Sequence, residues 1–535
     1  MRKRLPLCGL LSLVALATVG TAGATPSLDS REGGIFRVVM PTLDYVDPAL
    51  AYSFSWALLD TTCARLMTYP DKPAPEGLRL VPEVAAGFPK MSRNGKTHTF
   101  TLRTGFRFSD GTPVRASAFA RAINRTLAPG VQSPGAQYTG DIVGAADVRS
   151  GKTDAAAGVS ARGNPLTVRF ARPVVNFPAM TSMPFFCAVP PTLPADPEGV
   201  GAFPSAGPYV VTEYRRGERV TIRRNRFYRG ARPHHVDGFD VDLRSTSGDV
   251  LAQVERGEVD WGALVAPDYF EPGRNLAAKF GVNKSRFFVK PGLTLSHLTF
   301  NASRPLFRDN TRLRQAVNFA LNRRELANVA LTSRLAYRLT DQYLPPSLPG
   351  FRDARLYPLE RPNLTRARAL ARGSLRGGKA IMWVIDGAQP VSIAQAIKQQ
   401  LALVGLDIEV RPLPAPALFG RIGEPGEPWD LTLTLWVPDF IDPFQYSNIL
   451  FDGQYAGGTN FGRFDSPALN AQMRRAARLQ GDRRYQTYGE LDVRLVRDAA
   501  PGAALNYLSE ATLVSKRVGC VVLRPTLDLT AVCLK

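Results

Sequence analysis

Between Ile381 and Trp436 the spacing of apolar residues changes period repeatedly, and this restricts the fold more than any other stretch of the chain. Ile381 to Ile385 is a short apolar run with the character of a buried strand. Ile393, Ile397, Leu401 and Val404 then recur on one helical face that Gly405 stops, and Leu406 to Val410 alternates again. The order is a βαβ unit. Leu431, Leu433 and Leu435 alternate with Thr432 and Thr434 to give one more strand, which ends at Trp436. Open α/β sheets take ligands beyond the carboxyl ends of their strands, so the loop from Val437 to Pro443 is a candidate site.

Other elements are legible at lower resolution. A strand is expected over Ile35 to Met40, and a half-buried one over Thr97 to Leu102, where polar and apolar residues alternate. Ser109-Asp110-Gly111 supplies a turn, Thr112-Pro113 a helix start, and Val114, Ala118, Phe119, Ala122 and Ile123 a buried helical face. Tyr209 to Tyr214 and Arg219 to Arg224 form a hairpin about Arg215-Arg216-Gly217-Glu218. A strand over Leu293 to Phe300 is followed by one helix over Asn310 to Leu326, with Leu313, Val317, Ala320 and Leu321 inward. At 535 residues the chain exceeds what one core sustains and implies roughly two to four domains.

The N-terminus carries an export signature. Arg2, Lys3 and Arg4 precede an apolar run from Leu7 to Val19, and Ala22-Gly23-Ala24 offers the small residues of a signal-peptidase site. Residues 1–24 are therefore expected to be a signal peptide and 25–32 a flexible leader. A retained anchor is the weaker reading, because the run is shorter than the ~20 residues a spanning helix needs. Cys8 stands at the start of that run and not after it, which disfavours lipidation. Export allows disulfides, and Cys63, Cys187, Cys520 and Cys533 remain as an even set. Cys520 and Cys533 flank a short segment with Arg524-Pro525 near its middle, so a local bridge is expected there and Cys63–Cys187 follows by elimination. Four buried thiols are the alternative. There is no CxxC, and His98, His234, His235 and His297 lack zinc spacing, so neither metal nor cofactor is expected.

Formal charge is +21, of which Arg2, Lys3 and Arg4 carry three. Such an excess invites a nucleic-acid reading. The basic residues are scattered, however, in knots such as Arg215-Arg216 and Arg223-Arg224, with no basic helix interleaved with aromatics. A basic surface facing an anionic envelope is preferred.

Five blocks carry a resemblance. They are Thr99 to Arg103 through Phe108-Ser-Asp-Gly-Thr-Pro113 to Asn124-Arg125; Ser205-Ala-Gly-Pro-Tyr209 with Arg224-Asn225 and Tyr228; and Phe300-Asn301 through Arg314-Gln-Ala316 to Asn322-Arg323. Trp429-Asp430-Leu431 comes next, then Trp436 through Asp439 to Asp442-Pro443 with Asn460-Phe461. In this order they resemble the extracellular solute-binding proteins of family 5, the oligopeptide-, dipeptide- and nickel-binding receptors of ABC importers. The resemblance implies an α/β, bilobal, periplasmic-binding-protein-like fold of type II with an extra inserted domain near the N-terminus. It places 33–67, 185–291 and 506–535 in lobe 1, 68–184 in the insertion and 292–505 in lobe 2.

The same resemblance assigns ligand contacts. Asp439, three places after Trp436, matches the acidic residue that pairs with a ligand's α-amino group, and a carboxylate in a drying cleft strengthens such a bond. Trp436 is either core or a flat wall for the ligand. Phe54 and Ser55, after Asp47-Pro48, are expected to face the cleft, and Asn460 and Phe461 to offer backbone groups to an extended peptide. Asp442 reads as a turn residue before Pro443, and Arg314 as a helix-surface or inter-lobe residue.

Catalysis finds no support in motifs. Gly373 to Lys379 fits GxxxxGK, but Ala380 stands where a P-loop needs Ser or Thr and a strand follows. GxSxG, HExxH and cysteine-nucleophile signatures are missing. The expectation is a monomeric, non-enzymatic, exported receptor in the periplasm or on the outer face of the cytoplasmic membrane. It binds a short peptide or similar amine-bearing solute and works with permease and ATPase subunits. A secreted hydrolase and a signalling receptor are the rival classes.

Overall fold

The computed structural model describes residues 32–535 apart from 41–42, 53–54, 265, 271–274, 332 and 525. The expected signal peptide, nearly all of the leader, and Phe54 lie outside the described residues. The described strands form two large sheets and three smaller ones.

The first large sheet has five strands in the order Trp261–Gly262, Ile35–Val39, Gly238–Asp242, Arg219–Arg224, Tyr209–Arg215. The hairpin inside it turns on Gly217, whose φ of +73° is open to glycine at little cost. Alternation works as expected: Phe36, Val38, Tyr209, Val220, Ile222 and Phe239 converge in one core that the C-terminal Val514, Val518 and Leu534 close. Cys520 is bonded to Cys533 beside this core, and Cys63 to Cys187 links the helix end at Thr62 to the segment after Pro184. Between them, a four-stranded sheet of Lys90–Met91, Thr97–Phe100, Leu166–Arg169 and Val159–Ser160 packs under the helix Ala116–Leu127.

The second large sheet has six strands, ordered Tyr337–Leu339, Gly502–Leu513, Phe287–Phe300, Leu431–Trp436, Lys379–Ile385, Asp407–Leu413. The βαβ unit is present: Lys379–Ile385 runs parallel to Asp407–Leu413 and the helix Ala388–Ala402 covers them with Ile393, Ile397 and Leu401. Leu431–Trp436 pairs with Lys379–Ile385 only at Leu431 and Thr432, and with Phe287–Phe300 along its whole length. Its carboxyl end is thus bonded on one side only, which leaves room for the loop beyond it.

Two strands join the large sheets. Phe287–Phe300 and Gly502–Leu513 pair antiparallel, with register shifts between Pro291 and Leu295 and between Ser296 and His297. Before the first shift Phe287 and Leu513 pack with Val39 and Val250, whereas after it Leu295 and Leu298 belong to the core of the six-stranded sheet. The strand expected from Leu293 therefore starts earlier, at Phe287. Pro291 lacks an N–H for the ladder, and the irregularity beside it absorbs that loss.

The single helix expected over Asn310 to Leu326 is two, Thr311–Ala320 and Arg323–Ala330. Leu321 is extended and Asn322 leaves the helical region, its side chain accepting from the Glu325 N–H at 3.2 Å. Asn with Glu three residues on starts a helix as effectively as it continues one, and apolar spacing alone does not distinguish the two. Arg314 is buried and not on the surface, donating to the carbonyls of Ala499 and Phe307 at 3.0 and 2.6 Å.

Candidate functional site

Beyond Trp436 the chain leaves the sheet edge and runs through Val437 and Pro438 to Asp439, before Pro443 leads into the helix Phe444–Phe451. Asp442 anchors this loop. Its Oδ1 accepts from the Phe444 N–H at 2.8 Å, and buried Arg484 grips both oxygens at 2.6 and 3.1 Å. A carboxylate so engaged is structural, as the Asp-Pro pair suggests. Leu435 and Val437 project outward instead, 61% and 64% exposed.

Asp439 is half-buried and, among the described residues, forms no ion pair. Buried carboxylates elsewhere do so as a rule: Asp47 with Arg125, Asp430 with Arg304, Asp452 with Arg474 and Asp260 with Arg517. What meets Asp439 is aromatic. Tyr52 Oη lies 3.5 Å from its Oδ1, and the buried Tyr138 hydroxyl faces it without closing a hydrogen bond. Burial pushes the Asp439 carboxyl above the usual range, and the two hydroxyls temper the rise. Burial and the nearby carboxylate in turn push both phenols up.

The aromatics are continuous. Tyr52 meets Trp56 edge-on at 5.5 Å, Trp56 meets Phe185 at 5.6 Å, and Phe185 stacks with Tyr138 at 5.9 Å. Tyr69 reaches the same loop by donating to the Ile441 carbonyl at 2.5 Å. Residues far apart in sequence therefore surround one carboxylate. The Tyr138 hydroxyl beside it has no hydrogen-bond partner among the described residues, and neither has the indole Nε1 of Trp436 three positions earlier in the chain.

Behind Trp436 lies a narrow crevice of about 20 Å³, lined among others by His297, Thr434, Phe451, Asn460 and Phe461. No lining residue is charged as a rule, because burial pushes His297 down to about 4 and keeps its ring neutral at physiological pH. The expected site residues thus sort unevenly. Trp436, Asn460 and Phe461 line this crevice, whereas Asp439 lies outside its lining, against Tyr52 and Tyr138. Asn460 is moreover occupied by its own loop. Its side chain donates to Asp452 and Phe464 carbonyls at 3.3 and 2.8 Å, its N–H to Tyr455, and its carbonyl accepts from Gly457 and Arg463. The expectation that Asn460 offers backbone groups to a ligand is corrected accordingly. Ser55 is also corrected: it is fully buried and donates its hydroxyl to Asp44, so its side chain does not face the cleft. Tyr52 and Tyr138 were not anticipated. Tyr52 sits in the loop already singled out, two positions before Phe54, while Tyr138 has no local signal at all.

The profile described as "Bacterial extracellular solute-binding proteins, family 5 Middle" matches residues 79–458. The chain belongs to this family. Family 5 consists of solute-binding proteins and not enzymes, and their extracellular setting agrees with the two disulfides. The peptide transport periplasmic protein SapA of Salmonella typhimurium is 25% identical over 507 residues, 88% of this chain and 86% of that protein. The oligopeptide-binding protein OppA of Bacillus subtilis is 23% identical over 398 residues, 71% of this chain and 70% of that protein. Among solved structures, clavulanic acid biosynthesis oligopeptide binding protein 2 aligns with a TM-score of 0.78 at 25% identity, covering 94% of this chain and 96% of that one. The α/β family 5 fold is therefore present across nearly the whole described chain.

Proposed function

We propose that this family 5 protein is the cargo-binding subunit of an ABC importer and captures a short peptide, or a similar amine-bearing solute, between two lobes. Lobe 1 comprises 33–67, 185–291 and 506–535, the inserted domain 68–184, and lobe 2 292–505. The paired strands Phe287–Phe300 and Gly502–Leu513 join the lobes, and their register breaks are where bending costs least. Closure is favoured only by as much as the ligand binds the closed form better than the open one. The relatives SapA and OppA are named for peptide transport and oligopeptide binding, which supports both the cargo and the permease and ATPase partners.

One observation carries the reading. Asp439 is a half-buried carboxylate without a cation among the described residues, bordered by two phenols from another part of the chain. A ligand's ammonium supplies the missing charge, and carboxylate-to-ammonium bonds are strong where water is scarce. Trp436 and Phe461 wall the ligand, Phe461 having no backbone hydrogen bond among the described residues.

Calorimetry against a library of short peptides and their N-acetylated counterparts tests this. Free-amine peptides are expected to bind and acetylated ones to fail. Asp439→Asn is expected to weaken binding by roughly 1.5 to 3 kcal/mol, the range for a hydrogen bond to a charged group. Equal affinity for acetylated peptides, or an unchanged variant, refutes the assignment.

A further inference from the structure

Part of the excess positive charge is concentrated where the fold brings two basic segments side by side. The helix Thr311–Ala320 packs on the helix Leu364–Ala371, which brings segments 304–312 and 361–379 side by side. The first exposes Arg308 and Arg312, and the second exposes Arg361, Arg366, Arg368, Arg372, Arg376 and Lys379. Hydrogen bonds between the segments make the face continuous: Arg376 Nη1 donates to the Arg308 carbonyl at 2.6 Å and Arg312 Nη2 to that of Ala369 at 3.3 Å. Arg366 lies flat over Phe319, 4.4 Å from the ring centre.

None of these eight cations forms an ion pair among the described residues, although basic residues elsewhere are commonly paired. The acidic groups nearby are few. Asp309 is exposed within the face, Asp407 lies opposite Lys379 in the sheet, and Glu360 is already held by Arg324. An uncompensated cluster of this size repels itself and gains by meeting an anionic surface.

We propose that this face rests on the anionic headgroups of a phospholipid bilayer. Seven of the eight cations are arginine, whose planar guanidinium matches phosphate oxygens in pairs. Leu403 lies beside them, 49% exposed, with its carbonyl accepting from Arg368 Nε at 2.9 Å. An apolar side chain among guanidinium groups suits the boundary between headgroups and acyl chains. Among the described residues the face carries no exposed aromatic for base stacking, which argues against nucleic acid. Membership of an extracellular family puts the protein in reach of the outer leaflet. Contact of this kind confines diffusion to a plane and does not depend on which solute occupies the cleft.

Co-sedimentation with phosphatidylcholine vesicles, with and without phosphatidylglycerol, tests the proposal on the full chain. Binding is expected only with phosphatidylglycerol, and it is expected to vanish as salt shortens the screening length from roughly 10 Å at 0.1 M to 3 Å at 1 M. Arg308→Gln, Arg372→Gln and Lys379→Gln together remove three side chains that make no hydrogen bond or ion pair among the described residues. At about fivefold per cation near an anionic surface, they are expected to lower partitioning about 100-fold. Arg103→Gln, Arg162→Gln and Arg169→Gln remove equal charge from the four-stranded sheet region and are expected to lower it much less. An unchanged melting temperature and cargo affinity show that the first triple variant is folded. Equal loss in both triple variants, or equal binding to neutral vesicles, overturns the proposal. So does preference for soluble polyglutamate over phosphatidylglycerol vesicles, which assigns the face to an acidic protein.

Discussion

Replacing Tyr138 by Phe is expected to move stability and affinity in opposite directions. The Tyr138 ring is 8% exposed and stacks on Phe185, contacts that Phe retains. Its hydroxyl is buried with no hydrogen-bond partner among the described residues. An unsatisfied buried hydroxyl costs about 1–3 kcal/mol, so its removal stabilises the unliganded protein by about 1 kcal/mol after partial relaxation. In the complex the same hydroxyl stands beside Asp439, where the ligand's polar end is expected to engage it. Loss of that bond weakens binding by about 1–2 kcal/mol, roughly 5- to 30-fold. Urea unfolding without ligand gives the first quantity and calorimetry with a free-amine peptide the second. A residue that merely packs would leave both stability and affinity unaltered. A fall in stability means that the hydroxyl already donates to Asp439, and refutes the reasoning.

Two further perturbations probe the scaffold. Arg125 grips Asp47 through two bonds at 2.9 and 2.5 Å, both side chains 1% exposed, so Arg125→Met strands a buried carboxylate and is expected to cost about 3–5 kcal/mol in urea unfolding. Adding Asp47→Asn should recover part of that loss, and strict additivity would contradict it. Burial pushes Asp492 up to about 7, despite bonds from Gln342 and the Tyr343 and Leu344 N–H groups. A carboxyl raised in the folded state contributes fully below its unfolded pKa, near 4, and its contribution is lost as pH climbs through about 7. Between pH 4 and 8 the stability difference should therefore shift toward Asp492→Asn by up to about 4 kcal/mol, and a difference that ignores pH would exclude the raised pKa.

Legibility followed the range of the interaction that decides each feature. The βαβ unit and the hairpin at Gly217 were readable because side-chain alternation and a left-handed turn are local properties. The early start of the strand at Phe287 was hidden by Pro291, because only its partner strand shows that the ladder tolerates the break. The helix boundary at Asn322 was ambiguous for the opposite reason: continuous apolar spacing masked a cap. In the site, the Trp436-to-Asp439 spacing pointed to the carboxylate, yet nothing near Ser55 or Asn460 indicated that their polar groups are occupied by Asp44 and by the 452–464 loop.

The sequence by itself determined the α/β class, the family, the carboxylate after Trp436 and the amount of positive charge, since each rests on residue identity and short-range periodicity. Only the tertiary structure decided that Tyr52 and Tyr138 border Asp439, that Asp442 is held by Arg484, and that the basic segments 304–312 and 361–379 lie side by side. Those juxtapositions join positions up to hundreds of residues apart. Their energies come from desolvation and Coulomb attraction across packed elements, which a linear pattern does not record.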